Sequence, residues 1–88
     1  MVSTDGLRLV DRAYVLFASS LQERDRPTDA QVRAEISMML LAYHGDASRC
    51  VERVATEAGD HPHEYQRRMR WALATAEHAY RPALLLAS

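Results

Sequence analysis

The chain has 88 residues, a length typical of one domain, and we expect a single domain over residues 1–88. Its hydrophobic fraction of 48% excludes a disordered chain, and its single cysteine, Cys50, excludes an internal disulfide. The formal net charge is −1, and arginines and acidic residues are mixed along the sequence. The composition therefore does not show the strongly basic face that is typical of nucleic-acid binders.

The sequence indicates neither a membrane span nor an export signal. No segment approaches the roughly 20 consecutive apolar residues that a membrane-spanning helix needs. The first ten residues, MVSTDGLRLV, lack the basic start and apolar run of a signal peptide. We therefore expect a cytoplasmic protein.

The first predicted helix covers about residues 7–24. Its apolar residues recur at the spacing of one helical face: Val10, Tyr14, Phe17 and Leu21. Leu9 and Leu16 fall outside this face and are expected to be surplus to the core. A polar residue within 3–5 is expected to cap the start, and Pro27 follows the end.

The second predicted helix covers about residues 29–44. Thr28 and Gln31 have the spacing of a capping box, and Gly45 is typical of a left-handed C-terminal cap. The helix carries two apolar stripes, the first with Val32, Ile36, Met39 and Tyr43 and the second with Ala34, Met38 and Leu41. Two apolar sides predict a central helix that is packed by neighbours on both.

The third predicted helix covers about residues 47–58 and is expected to end at Gly59. Cys50 lies on its apolar face beside Val51 and Val54. A catalytic cysteine needs a partly exposed, electropositive setting with a nearby base. Cys50 is therefore expected to be a small buried hydrophobe.

The fourth predicted helix covers about residues 62–80. Pro62 suits a first helical turn, and Pro82 is expected to stop the helix. Its core face is expected to hold Tyr65, Met69, Leu73 with Ala72, Ala76 and Tyr80. Four helices with short connections predict an all-α fold, either a compact four-helix bundle or an orthogonal helical array.

The sequence carries no signature of catalysis or of metal binding. His61 and His63 flank Pro62, but two histidines do not make a zinc site, and the HEXXH spacing is missing. Glycine-rich phosphate loops and nucleophile elbows are also missing from the sequence. We therefore expect no enzyme activity, no cofactor and no metal.

The strongest candidate site lies on the fourth helix, where a helical wheel places Trp71 opposite the core face. Tryptophan and arginine are enriched at the centres of protein interfaces. The expected partner-binding residues are His63, Arg67, Arg70, Trp71 and His78. The alternative is that the N-terminal segment or residues 84–86 cover Trp71.

These observations predict a protein-interaction module that acts as an accessory or regulatory subunit. Apolar residues outside the main core faces, such as Met38 and Leu41, add to this expectation, because a thin core cannot cover all of them. A homodimer is the default, since two-fold homodimers are the commonest soluble oligomers, and a complex with a different protein is the alternative.

A second functional hypothesis comes from residues 42–72, AYHGDASRCVERVATEAGDHPHEYQRRMRWA, with Gly45-Asp46 before a short helix whose apolar positions include Cys50 and Val54. Over about a third of the chain, this segment resembles a helix-turn-helix of the factor-for-inversion type, although its TEAGDHP connection is longer than the tight turn of that family. The resemblance implies a DNA-binding transcriptional regulator. Its DNA-facing residues would be Gln66, Arg67, Arg68 and Arg70.

Overall fold

The computed structural model describes the backbone of residues 8–87 and the side chains of residues 8–81. Within these residues the fold is all-α, which confirms the predicted class. The helices are α1 (Leu9–Ala18), α2 (Asp29–Ala42), α3 (Ser48–Asp60) and α4 (Pro62–Ala87), and a 3₁₀ turn (Glu23–Asp25) joins α1 to α2. α1 and α4 lie at the centre, because each packs against the other three helices.

The core is built around α1, which is buried on more than one side. Its buried residues are Ala13, Val15, Leu16, Phe17 and Ala18. Leu16 is 0% exposed, so the expectation that it is surplus to the core was wrong. The reason is that α2, α3 and α4 all contact this helix, and a helix with three neighbours buries residues beyond a single stripe.

α1 ends at Ala18, well before the predicted end near residue 24. The backbone at Ser19 is extended, and the Ser19 hydroxyl donates a hydrogen bond of 2.6 Å to the Leu16 carbonyl. Serine side chains that bond to local backbone compete with helix continuation. The cap that was predicted within residues 3–5 lies outside the described residues.

α2 begins at Asp29 as the sequence predicts and ends at Ala42, two residues before the predicted end. The Thr28 amide donates to Gln31 Oε1 at 2.8 Å, and the Gln31 amide donates to Thr28 Oγ1 at 3.1 Å, which confirms the capping box. Gly45 has a φ of 78°, which confirms the left-handed cap that follows the helix.

The prediction that α2 is covered on both sides was wrong. Val32, Ile36 and Leu40 are buried on one face, whereas Met38 is 66% exposed and Leu41 is 61% exposed. The neighbours explain this difference, because α2 packs mainly against α1 and α4.

The connection between α3 and α4 is a single residue, His61. Gly59 does not end α3, because the helix continues to Asp60 and the φ of Gly59 is not positive. α4 begins at Pro62 as predicted, and the Tyr65 amide donates to the His61 carbonyl at 2.8 Å.

α4 continues through Pro82 to Ala87, so the predicted stop at Pro82 was wrong. A proline inside a helix removes one backbone donor and crowds the carbonyl four residues earlier, at a cost of about 3 kcal/mol. The Arg33 guanidinium of α2 donates a hydrogen bond of 2.7 Å to the Ala79 carbonyl, next to the disrupted position. This contact and the helix-favouring alanines and leucines after Pro82 oppose the cost of the proline.

The core face of α4 differs slightly from its prediction. Met69, Ala72, Ala76, Ala79 and Tyr80 are buried. Ala72 is buried as predicted, whereas Leu73, which was also expected in the core, is 36% exposed. Small residues on this face let α4 lie close to α1, which is the neighbour that it contacts most extensively.

Candidate protein-binding site

Arg68 joins the first part of α4 to the chain segment that leaves α1. Its guanidinium donates to the carbonyls of Phe17 at 2.9 Å, Ser19 at 3.0 Å and Leu21 at 2.9 Å. A further bond of 3.3 Å reaches Gln22 Oε1. The carbonyls at the end of a helix have no hydrogen-bond donor within that helix, and Arg68 of α4 provides donors to those at the end of α1.

The same guanidinium lies against two aromatic rings. Its central carbon is 5.3 Å from the ring centroid of Phe17 and 5.1 Å from that of Trp71, both within the range of cation–π contacts. Burial lowers the pKa of Arg68, with a smaller contribution from the nearby Arg53. An arginine remains charged after such a shift, so a fixed positive charge lies between the core and Trp71.

A cavity of about 480 Å³ opens beside Arg68 and Trp71. One wall comes from α4 and the other from the connection between α1 and α2. The residues that line it are Gln22, Glu23, Arg24, Glu64, Arg67, Arg68 and Trp71. We call this the Trp71 cavity.

Arg68 also borders a smaller cavity of about 220 Å³. This second cavity shares Gln22, Glu64 and Arg68 with the Trp71 cavity, and it is further lined by Tyr65, Arg53 and Glu57 among others. Arg68 and its hydrogen-bond partner Gln22 therefore line both cavities.

The structure brings together only some of the predicted binding residues. Arg67 and Trp71 both line the Trp71 cavity, whereas His63, Arg70 and His78 do not. His63 and Arg70 are exposed on α4. His78 Nδ1 lies 2.7 Å from Asp29 Oδ1, so His78 contacts the start of α2. The role of all five residues in binding a partner stays a prediction.

The expected outward position of Trp71 needs correction. Its side chain is partly buried and packs against the core, because the indole reaches back to the guanidinium of Arg68. The Trp71 side chain therefore contacts the core and also lines the Trp71 cavity. The side chains of residues 84–86, which were the alternative cover for Trp71, lie outside those described.

The sequence interpretation missed Arg68 as a structural residue and placed it only among DNA-facing arginines. A signal was present, because Arg68 is three residues after Tyr65 and four residues before Ala72, on the edge of the core face. A charged side chain at such a position is rarely buried without partners. The partners could not be named from the sequence, since they are backbone carbonyls 47 to 52 residues away.

The other residues with reactive side chains do not join this site. Cys50 is buried, as predicted, and burial raises the pKa of its thiol. Among the described residues, no group of three or more histidine, cysteine or acidic side chains is placed to hold a metal ion. The described helices also include none that is long and apolar enough to cross a membrane.

The chain matches no protein-family model, no curated protein and no solved structure. The helix-turn-helix resemblance therefore rests on the geometry alone, and that geometry departs from the motif. The connection is one residue, whereas the motif needs a turn of about three or four residues. The expectation of a connection longer than the family's turn was wrong, because Gly59 stays helical.

Proposed function

We propose that this protein is a small protein-binding domain, which works as an accessory or regulatory subunit by accepting a side chain of its partner in the Trp71 cavity. The observation that carries this proposal is the cavity itself. Its volume of about 480 Å³ lies within the usual range for binding sites, and its wall contains a tryptophan that is already held on one side. Such preorganisation reduces the entropy that binding costs.

The chemistry of the cavity supports a protein segment as its ligand. An indole ring surrounded by charged side chains resembles the usual interface arrangement of an aromatic anchor within a polar rim. The rim carries both signs, with Arg24 and Arg67 against Glu23 and Glu64. A segment with one apolar or aromatic anchor and charged neighbours of both signs would match it.

Binding is favoured over catalysis by the residues that line the cavity. Its described lining contains one amide, two carboxylates, three guanidinium groups and one indole, and it holds neither a cysteine nor a histidine nor a hydroxyl group. Catalysis through a thiol, a hydroxyl or an imidazole needs one of these groups in the cavity.

The test uses two arginines that lie three residues apart on the exposed part of α4. Arg67 lines the cavity and Arg70 does not. Peptides are selected from a displayed library on the immobilised protein, and their affinity is measured through the fluorescence of Trp71, which is the only tryptophan. Arg67→Glu should weaken binding by about tenfold or more, whereas Arg70→Glu should change it by less than about twofold.

Two outcomes would contradict the proposal. One is that selection yields no peptide that binds above the level of an unrelated control protein. The other is that the selected peptides bind the Arg67→Glu and Arg70→Glu variants equally well and leave Trp71 fluorescence unchanged. Trp71→Ala is a poorer test, since its indole also packs against the core.

DNA binding through α4 is the alternative proposal. Gln66, Arg67 and Arg70 are exposed and available for it, whereas Arg68 is engaged with carbonyls of the α1 end. This hypothesis predicts binding to duplex DNA with a steep dependence on salt. Binding that is lost on Arg70→Glu would favour it, and the absence of any shift with random duplex DNA at low salt would exclude it.

A further inference from the structure

Four residues of the Trp71 cavity follow one another along one face of α4. They are Glu64, Arg67, Arg68 and Trp71. Residues three, four and seven positions apart lie on the same side of a helix. At a rise of about 1.5 Å per residue, the two arginines lie about 5 Å along the axis from Trp71, and Glu64 lies about 10 Å from it. This wall of the cavity therefore presents an indole, then positive charge, then negative charge.

The charged side chains of the cavity do not neutralise one another. Among the described residues, no ion pair includes any of them. Glu64 is four residues before Arg68, a spacing that favours an ion pair on a helix, but the Arg68 guanidinium donates to carbonyls at the end of α1 instead. The side chains of Glu64 and Arg67 are exposed, so a ligand can reach both.

Arg68 also keeps a hydrogen-bond donor for a ligand. A guanidinium carries five N–H groups, and in Arg68 the Nε group and the two Nη2 groups donate to backbone carbonyls. The Nη1 atom carries the other two groups, and within the described part of the chain its acceptor is Gln22 Oε1. The second Nη1 group is therefore available to an anionic ligand group in the cavity that Arg68 lines, and hydrogen bonds between charged groups are the stronger ones.

The opposite wall does not set a competing order of charge. Its charged residues are Glu23 and Arg24, which are adjacent in the chain and opposite in sign. The fields of two adjacent opposite charges largely cancel at a distance. The order of charge that a ligand meets is therefore set by α4.

We infer that the Trp71 cavity selects a peptide segment in which an aromatic, an acidic and a basic residue follow one another along α4. The aromatic ring packs against Trp71. The acidic group pairs with Arg67 and Arg68, and the basic group pairs with Glu64. This inference rests on the proposed function, since it specifies the ligand of the same cavity.

The spacing within the segment follows from the geometry of an extended chain. Alternate side chains of such a chain face the same way and lie about 7 Å apart. This distance is close to the separation of about 5 Å between Trp71 and the two arginines along α4. The three ligand residues therefore occupy alternate positions, in the pattern aromatic-x-acidic-x-basic. The long, flexible side chain of a lysine or arginine reaches Glu64 from the last of these positions.

The first experiment compares two peptides of the same composition. One carries phenylalanine, glutamate and arginine in that order, separated by single glycines, and the other exchanges the glutamate and the arginine. Both have blocked ends, and each is also made in the reverse chain direction, because the order of side chains along α4 does not fix the direction of the peptide backbone. Binding is followed through the fluorescence of Trp71, the only tryptophan in the mixture. In the direction that binds more tightly, the aromatic-x-acidic-x-basic peptide should bind about tenfold more tightly than the exchanged one, because the exchange replaces two attractive contacts with contacts between like charges.

The second experiment reverses one charge of the cavity. Glu64→Arg should reduce the preference between the two peptides to less than about twofold, because each peptide then makes one attractive and one repulsive contact. Glu77→Arg is the matched control, since it makes the same substitution at an exposed position of α4 that lines neither cavity. It should keep the full preference. Far-ultraviolet circular dichroism that matches the wild type shows that each variant is folded.

The outcomes distinguish this inference from the proposed function. The inference is overturned if the exchanged peptide binds the wild type equally well or better, if neither peptide binds, or if Glu64→Arg leaves the preference unchanged. If peptides from the displayed library bind in a way that depends on Arg67 but lack the aromatic-x-acidic-x-basic pattern, the inference fails and the proposed function stands. If no library peptide binds, both fail.

Discussion

Arg68 stabilises the fold through backbone carbonyls and aromatic rings, and no carboxylate is within ion-pair distance of it among the described contacts. We expect Arg68→Ala to lower the free energy of unfolding by about 2–3 kcal/mol, because a hydrogen bond to a charged donor contributes about 1.5–3 kcal/mol and several carbonyls lose theirs together. In the variant, water from the neighbouring cavities can hydrogen-bond to these carbonyls, which limits the loss of stability. Urea unfolding followed by circular dichroism gives the value.

Two control variants separate the hydrogen bonds from the charge. Arg68→Lys keeps the charge but lacks the planar fork of donors, so we expect it to lose about half as much stability. Arg70→Ala removes an exposed arginine of the same helix and should change stability by no more than about 0.5 kcal/mol. If Arg68→Ala changed the free energy of unfolding as little as Arg70→Ala, the hydrogen bonds from Arg68 to the end of α1 would contribute nothing to stability.

At the scale of the helices, the effect of replacing the glycine of α3 on stability depends on its backbone conformation. Gly59 lies within the helix, its φ is not positive, and, apart from its chain neighbours and the nearby backbone of its own helix, no atom lies within 4 Å of the place where a Cβ would stand. Gly59→Ala should therefore raise the free energy of unfolding by about 0.5–1 kcal/mol, because alanine loses less entropy than glycine in a helix. Thermal unfolding at low protein concentration measures this effect.

Gly45 provides the matched control for this substitution. Its φ of 78° is a conformation that side chains with a Cβ rarely adopt. Gly45→Ala should consequently destabilise the protein, by about 1 kcal/mol or more. The two substitutions are chemically identical and should have opposite signs. A destabilising Gly59→Ala would show that Gly59 ends α3 after all, as the sequence pattern had predicted.

The helix ends show which parts of this fold can be predicted from the sequence. The capping box of Thr28 and Gln31, the left-handed Gly45 and the first-turn Pro62 depend on neighbours within a few residues, and all three were predicted correctly. The end of α1 and the continuation of α4 past Pro82 were not. At the end of α1, the local Ser19 bond is joined by Arg68 bonds to carbonyls 47 to 52 residues away, which no local pattern shows. The Arg33 bond to the Ala79 carbonyl near Pro82 likewise spans 46 residues.

The same distinction applies to the candidate site. Trp71 and Arg67 were identified because they lie on one side of a helix whose period can be read from the sequence. The opposite wall of the Trp71 cavity, with Gln22, Glu23 and Arg24, could not be identified, since it is formed by the connection that follows the early end of α1. Identifying a site that lies between two elements requires knowing how those elements pack, whereas a helical wheel describes a single helix.

At the scale of the whole molecule, the fold is a small core around α1 and α4, and α2 leaves large hydrophobic side chains exposed. The loss of stability on substitution should therefore follow burial, and two leucines provide the comparison. Leu16 of α1 is fully buried, and Leu41 of α2 is among the most exposed hydrophobic residues. Both lie in helices, so substitution by alanine has nearly the same effect on helix propensity at the two positions.

We expect Leu16→Ala to lower the free energy of unfolding by about 3–4 kcal/mol, because it leaves a cavity where α1 meets three neighbours. This is a large share of the roughly 5–15 kcal/mol that stabilises a small domain. Leu41→Ala should change stability by no more than about 0.5 kcal/mol, because the Leu41 side chain is largely exposed. Urea unfolding of both variants tests both statements. A large destabilisation by Leu41→Ala would mean that this side chain packs in the core.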